Sequence, residues 1–350
     1  MKVDEVLQCS FPSWYNKFKD ITIKSYMIPL PQEFIDYLHA DGIVLPAESI
    51  TASAQESNED NVEGEEIDVD WDDDNGPIAE EPSFPEFETT IKNKIKSCGG
   101  RVFPKLNWSS PQDATWISFD KTLKCTCPSD IYLLLKSSEF ITHDLTQPFC
   151  KCEDYDEDRS DITVKYHLIL RQWQDLNPAA EFRCYVRNNQ LLAISQRHHS
   201  IYYEHILDQR EDIVADIKSF FYHMVSPKFP CTSYSFDVYR RDKGKLLLID
   251  FNPFGSVTDS LMFTWKELEE AKSLESTGTD SVDFPAFRCV ARPEGVQPSP
   301  YATCGVPRDI IDLATGQDPY KLMDLLKLKV QTQNEESSDD DEDTIATPTT

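Results

Sequence analysis

Two hydrophobic periods alternate along the chain. Apolar residues recur every three or four positions in some stretches and every second position in others, the marks of helices and strands that bury one side. Phe87, Ile91 and Ile95 fall four apart ahead of Gly99-Gly100, which predicts an amphipathic helix with a glycine stop. Ile213, Ile217, Phe220 and Met224 predict a long helix over Ile206 to Val225. Ser129 is the expected cap of a helix running through Lys136, Thr264 and Glu267 form a capping box for another, and Leu322 to Leu328 reads as a last one.

Strands are expected at Val102 to Leu106, with Lys105 near the end, and at Val164 to Trp173. Phe182 to Val186 and Leu191 to Ser195 are joined by Arg-Asn-Asn-Gln, whose asparagines tolerate left-handed backbone angles, so they read as a hairpin. Tyr234 to Arg240 and Lys245 to Phe251 form a second hairpin. Near the start, Phe11, Trp14, Tyr15 and Phe18 precede a strand from Ile21 to Pro31 and a short helix near Pro31. Hairpins mixed with helices, and no internal repeat, place the chain in the α+β class with mainly antiparallel sheets.

The second hairpin carries the candidate chemistry. Closing it over the four-residue loop Arg241 to Gly244 pairs Arg240 with Lys245, Asp237 with Leu248 and Ser235 with Asp250. Phe236, Val238, Leu247, Ile249 and Phe251 then form one apolar face, and a slip of one residue would expose it. Asp237, Asp250 and Asn252 gather on the other face. Hard oxygen ligands of this kind suit Mg²⁺, which takes one or two carboxylates together with nucleotide phosphate oxygens. For Asp250-x-Asn252 alone, a turn ahead of Pro253 is the competing reading; the third oxygen, from Asp237, favours the metal.

A nucleotide there would need cations. Arg183 alternates against Phe182, Cys184 and Val186 and shares a polar face with Glu181. Arg171 and Trp173 alternate in the same way in Leu168-Ile-Leu-Arg-Gln-Trp173, and Lys105 offers a point charge for phosphate.

Charge divides the 350 residues. Residues 51 to 82 hold 13 Asp and Glu and no Lys or Arg, and residues 335 to 343 hold 7 more. Together they account for 20 of the 62 acids, leaving −8 of the formal −28 elsewhere. The net negative charge therefore belongs mainly to two segments expected to be disordered. This balance argues against nucleic acid and anionic membranes as partners and admits a basic protein surface. Ser57, Ser337 and Ser338 precede acids and would suit an acid-directed kinase. No apolar run approaches the ~20 residues of a membrane span, and Met1 to Ser10 lacks a signal-peptide core. A cytoplasmic monomer with free thiols is expected. Cys125/Cys127 and Cys150/Cys152 have a spacing unusual for zinc.

Several motifs together resemble the cell division cycle protein 123 family: Phe103-Pro-Lys-Leu-Asn-Trp-Ser109, Glu181-Phe-Arg-Cys184, Ile194-Ser-Gln-Arg197, Ile249-Asp-Phe-Asn-Pro-Phe-Gly255 and Val257-Thr-Asp-Ser260. The resemblance implies an ATP-grasp fold binding ATP and Mg²⁺. It also implies a role as an assembly chaperone that binds the C-terminal domain of the gamma subunit of eukaryotic translation initiation factor 2. That role would promote formation of the heterotrimer and so support translation initiation and cell-cycle progression. On this resemblance Asp237, Asp250 and Asn252 would hold Mg²⁺, while Lys105, Arg183 and Lys218 would face phosphates. Arg171, Gln172, Trp173 and Glu181 would line the cleft, Gln172 through its backbone.

The implied organisation is an N-terminal segment over residues 1–47 packed on the main domain, an acidic linker over 48–82, an ATP-grasp domain over 83–330 and an acidic tail over 331–350. Two alternatives stand beside the chaperone. One is an ATP-grasp carboxylate-amine ligase working through an acyl phosphate, with Arg197, His198 and His199 the nearest candidates for a second substrate. The other is a scaffold on a degenerate fold.

Overall fold

The N-terminal aromatic residues fold into helices. In the computed structural model, which describes residues 1–40, 42–46, 82–118, 120–156, 162–271 and 285–293, α1 spans Val3–Cys9 and α2 spans Phe11–Phe18. Pro12 sits in the first turn of α2, where its missing N–H has no helical partner to lose. The acidic linker, the tail, the Leu322 to Leu328 helix, Ser57, Ser337 and Ser338 lie outside the described residues.

Two sheets follow. The first joins β1 (Ser25–Pro29), β3 (His167–Gln172) and β2 (Val102–Lys105), in that spatial order and antiparallel throughout. One face of it, with Ile28, Val102, Leu168 and Leu170, packs on α3 (Gln32–His39), α4 (Pro85–Ser97), α5 (Pro128–Lys136) and α6 (Glu139–Thr146). Ile91 and Ile95 bury the expected stripe of α4, and Gly99 and Gly100 stop it at φ 83° and 84°. The cap of α5 is Cys127, with Pro128 first in the helix, so Ser129 lies inside the first turn rather than ahead of it.

The second sheet runs β7 (Lys245–Pro253), β6 (Tyr234–Asp242), β4 (Glu181–Arg187), β5 (Gln190–Gln196) and β8 (Ala286–Arg288). Asn188 and Asn189 take φ of 51° and 61° in the β4–β5 turn, as their side chains allow. Only β8 is parallel to its neighbour among the described strands, an edge that its three residues announce too weakly to read. Phe182, Cys184, Val186, Phe236, Val238, Leu248 and Phe251 form its inner face against α8 (Arg210–Phe220) and the aromatics of α2.

Several elements differ from expectation, among them β1, which starts at Ser25 rather than Ile21. The Ile206 to Val225 stretch is not one helix: α7 (Glu204–Asp208) ends at Gln209, α8 follows, and Phe221–Val225 widens into a π-type turn. Gln209 leaves helical angles at φ −98° and ψ 10°, and its Oε1 is held by Arg240 Nη1 at 2.9 Å. Helix α6 is new to the sequence reading; Ser138 caps it by accepting from Ile141 N, and Asp113 accepts from Glu139 N at 2.7 Å. The β3 strand starts at His167, because Val164 instead packs in a small cluster with Val3, Val6 and Phe149.

The register of the β6–β7 hairpin is also corrected. Its turn contains only Lys243 and Gly244, the latter at φ 72°, so Asp242 pairs with Lys245. Arg241 and Ile249 are each an extra residue in the ladder, and the pairing at the far end becomes Asp237 with Asp250 and Ser235 with Asn252. The bulge at Ile249 reverses the alternation of β7, so Leu248 and Leu246 turn to the core in place of Leu247 and Ile249. A strand with four consecutive aliphatics gives period-two reasoning no polar residue with which to detect the bulge.

Candidate functional site

The site lies where the two sheets approach each other. Alternation along β2 and β3 puts Lys105, Ile169 and Arg171 on the face away from α3 to α6, and Ile169 packs with the core of the five-stranded sheet. Cross-strand partners share a face, so Arg183 and Asp237, then Asp237 and Asp250, stand together on the polar side of β4, β6 and β7, with Asn252 one pair further along.

The charges meet in specific pairs. Arg183 clamps Asp237 with two parallel bonds, Nε to Oδ1 and Nη2 to Oδ2, both 2.7 Å, and donates from Nη1 to the Asp259 carbonyl at 2.8 Å. Both partners are 5% exposed. Burial alone pushes the Asp237 carboxyl up, but Arg183, with Arg197 and Lys105 beyond it, outweighs burial and holds it below the usual carboxylate range. Burial likewise opposes the charge on Arg183, and Asp237 more than offsets it. Arg197 Nε stands 3.8 Å from Asp237 Oδ2.

Lys105, 2% exposed, forms an ion pair with Asp250 and lies over the Phe11 ring, 5.5 Å from its centre. Arg171 flanks the same ring at 5.4 Å. It is 4% exposed and donates to the Ile249 carbonyl at 2.8 Å and the Thr22 hydroxyl at 3.2 Å, while its Nε has no partner. The Ile249 carbonyl belongs to the bulge residue, so a fault in the ladder becomes an anchor for the guanidinium. Thr22 donates to the Leu248 carbonyl at 2.7 Å and Leu248 N–H donates to the Ile21 carbonyl at 2.7 Å, which docks the N-terminal segment on β7. Asn252 has a buried Nδ2 without a partner.

The remaining expected residues spread around this centre. Glu181, at the start of β4, bonds His198 Nε2 at 2.9 Å. Trp173 is half-buried and its Nε1 donates to Asp175 at 2.9 Å. Gln172 alternates to the helix-covered face, and its backbone N–H donates to the Lys24 carbonyl at 2.9 Å. Lys218 lies on α8, which packs on the inner face of the five-stranded sheet, across the sheet from Arg183 and Asp237. His199 is buried with its Nδ1 unpartnered. Phe11, Thr22 and the carbonyls of Ile249 and Asp259 complete the centre without having been legible: two are backbone groups, which carry no residue signature, and Phe11 reads in the sequence only as core.

The donor set fits the group that the resemblance implies. Two carboxylates and an amide supply hard oxygens, and four cations surround them, Arg171 with only neutral hydrogen-bond acceptors among the described residues. Among the described residues no three His, Cys, Asp or Glu side chains gather into a metal site, so the third oxygen would come from Asn252. Cys125 is buried in the core below the three-stranded sheet, whereas Cys152 lies in the separate Val3 cluster. No helix among the described residues is long and apolar enough to cross a membrane.

Similarity to known proteins covers almost the whole chain. It is 47% identical over 340 residues to the Translation initiation factor eIF2 assembly protein of Xenopus tropicalis, spanning 96% of this chain and 100% of that one. The protein of the same description from Dictyostelium discoideum is 36% identical over 378 residues, 93% of this chain and 96% of the relative. The solved structure of Cdc123 from Schizosaccharomyces pombe superposes with a TM-score of 0.67 at 32% identity, covering 83% of this chain and 99% of that one. The model of the D123 family matches residues 14–314. On that span and those identities, the chain belongs to the D123 family.

Proposed function

We propose that this protein is an ATP- and Mg²⁺-binding assembly chaperone for eukaryotic translation initiation factor 2, acting on the C-terminal domain of its gamma subunit. The partner is supported by the description that the relatives share, eIF2 assembly protein, at up to 47% identity over nearly full length. The nucleotide is supported by one observation above all: Arg171 is a buried guanidinium whose hydrogen bonds go to a neutral carbonyl and a neutral hydroxyl. Burial outweighs the pull of the nearby Asp250 and Glu181 carboxylates on this charge, and an anionic ligand would make up the difference.

Lys105, Arg171 and Arg183 would meet phosphate oxygens; Asp237, Asp250 and Asn252 would hold Mg²⁺. When bound, the metal would screen the phosphates and release the two carboxylates from their present cations. Arg183 is bidentate and planar, suited to exchanging a carboxylate for a phosphate edge without changing its orientation. Phe11 supplies an apolar floor that keeps water from Lys105 and Arg171.

The ligase alternative needs a second pocket for an amine. Arg197 and His198 are instead engaged with Asp237 and Glu181 of the same centre, which favours the chaperone. Pull-down with the purified chain from cytosol, followed by calorimetry with Mg²⁺-ATP, tests both halves. Recovery of the factor's subunits and magnesium-dependent binding support the proposal, whereas ADP release stimulated by amines would replace it with the ligase.

A further inference from the structure

Asp144, in α6, is a buried acid to which the proposed chemistry gives no task. It is 3% exposed; Oδ2 accepts from Ser109 N–H at 2.7 Å and Oδ1 from the Ser109 hydroxyl at 2.8 Å, and the Trp108 N–H of the same turn also bonds the carboxylate. Burial pushes its carboxyl up to about 6, against the pull of these bonds and of the nearby Lys105 charge. Burying a carboxylate is unfavourable unless it is well bonded, so its presence calls for a structural return.

Ser109 closes the turn that directly follows Lys105. Leu106 N–H donates to the Ser109 carbonyl at 2.8 Å, making Leu106–Ser109 a tight reversal at the end of β2. Within it, Asn107 donates to the Lys165 carbonyl at 3.0 Å, accepts from His167 N–H at 2.9 Å, and offers its carbonyl to Phe11 N–H at 2.7 Å. The turn is thus tied to β3 and α2 through Asn107 and to α6 through Asp144. The same Phe11 whose amide is held lies under the Lys105 ammonium.

We propose that Asp144 is the positioning residue for Lys105: by gripping Ser109 it fixes the Leu106–Ser109 turn and so delivers the lysine ammonium to Asp250 and to the phosphate position. Its importance for ligand binding rests on the nucleotide reading above, but its effect on Lys105 does not. Lysine has a long, flexible stem, and a point charge of this kind is useful only where its backbone root is held.

The test is brief acetylation of the full-length protein read by peptide mass spectrometry. Lys105 should be protected in the parent protein, and Asp144→Ala should raise its modification rate about tenfold through local opening. Lys136, whose ammonium is held by the Tyr37 carbonyl at 2.6 Å on α3, should be unchanged. Asp144→Asn retains an acceptor for Ser109 N–H and should remain near the parent rate. Ser109→Ala, which removes one of the two Ser109 bonds, serves if Asp144→Ala does not fold. Unchanged Lys105 labelling in a folded variant overturns the proposal, as does a rise shared equally by Lys136. Mg²⁺-ATP titration of the same proteins should show affinity falling about tenfold in step with labelling. If labelling responds as stated but the parent protein binds no nucleotide, the positioning role stands and the nucleotide reading fails.

Discussion

Asp237 and Asp250 stand directly opposite each other across the β6–β7 pair, and each is neutralised by a cation from a different strand. Arg183 of β4 serves the first and Lys105 of β2 the second. The groups proposed for metal and those proposed for phosphate therefore occupy one another in the ligand-free protein.

This mutual neutralisation couples the two ligands. A triphosphate arriving alone must take Lys105 and Arg183 from their carboxylates and leave two acids facing its own charge; a metal arriving with it resolves both conflicts. ATP should bind at least about tenfold more weakly in EDTA than in Mg²⁺, since a single close charge conflict is worth more than 1 kcal/mol. Calorimetry in the two buffers measures the ratio, and equal affinities would remove the metal assignment.

Substitution of Asp250 separates binding from stability. Asp250→Ala is expected from the sequence to abolish Mg²⁺-ATP binding with the fold mostly intact. The Lys105 pair changes the second half of that expectation, because the alanine strands a buried ammonium at a cost of about 3–5 kcal/mol. Asp250→Asn, which keeps an oxygen acceptor, should lose binding with a smaller stability loss. Urea denaturation of the two variants tests the difference.

Arg171 gives the reverse pattern. Replacing it by methionine removes a buried charge whose bonds are to neutral oxygens, so ligand-free stability should change by less than about 1–2 kcal/mol in either direction. Nucleotide affinity should nevertheless fall about tenfold or more, as loss of a charge-assisted bond predicts. A large loss of stability with affinity unchanged would assign Arg171 to the fold alone.

Asp144 should leave a pH signature. Its carboxyl lies at about 6 in the folded protein against about 3.9 when unfolded, so the folded state binds the proton more tightly. A raised acid destabilises where it is ionised: the penalty is present above pH 6 and is relieved as pH falls from 6 towards 4. Asp144→Asn lacks this titration. Its stability relative to the parent should therefore be more favourable at pH 7 than at pH 4.5, by about 2 kcal/mol. Denaturation curves at the two pH values measure the change, and a constant difference would contradict it.

The core beneath the hairpin depends on Phe251. Its ring stacks on Phe229 with centres 3.9 Å apart and meets the Trp14 edge at 5.4 Å. Phe251→Ala should cost about 3–5 kcal/mol by opening a cavity that rings on both sides cannot easily fill. Thermal unfolding of the variant checks this value.

What could be read in advance followed the strength of local signals. Glycine stops, the Asn188-Asn189 turn and the Thr264 capping box each dictate backbone geometry within a few residues, and all three are found where expected. The grouping of Asp237, Asp250 and Asn252 on one face matched expectation because the extra residues Arg241 and Ile249 lie one on each strand and leave the parity of the pairing unchanged. The register did not: Arg241 and Ile249 are displaced by bulges that no residue in the run Leu246 to Ile249 marks. Nor could Lys218 be excluded from the centre, since helical spacing says which residues share a face but not which side of a sheet receives it. The backbone carbonyls of Ile249 and Asp259 depend wholly on tertiary approach.

Phe11 and Thr22 precede the first strand, yet one underlies both Lys105 and Arg171 and the other ties Arg171 to the bulge of β7. A shortened polypeptide begun at Tyr26 would retain every charged group of the centre while losing the hydrophobic platform beneath them. Such a product would also lose Trp14 and Phe18 from the main core, so trimming this end would loosen the sheet that carries the centre as well as wet the undersides of Lys105 and Arg171.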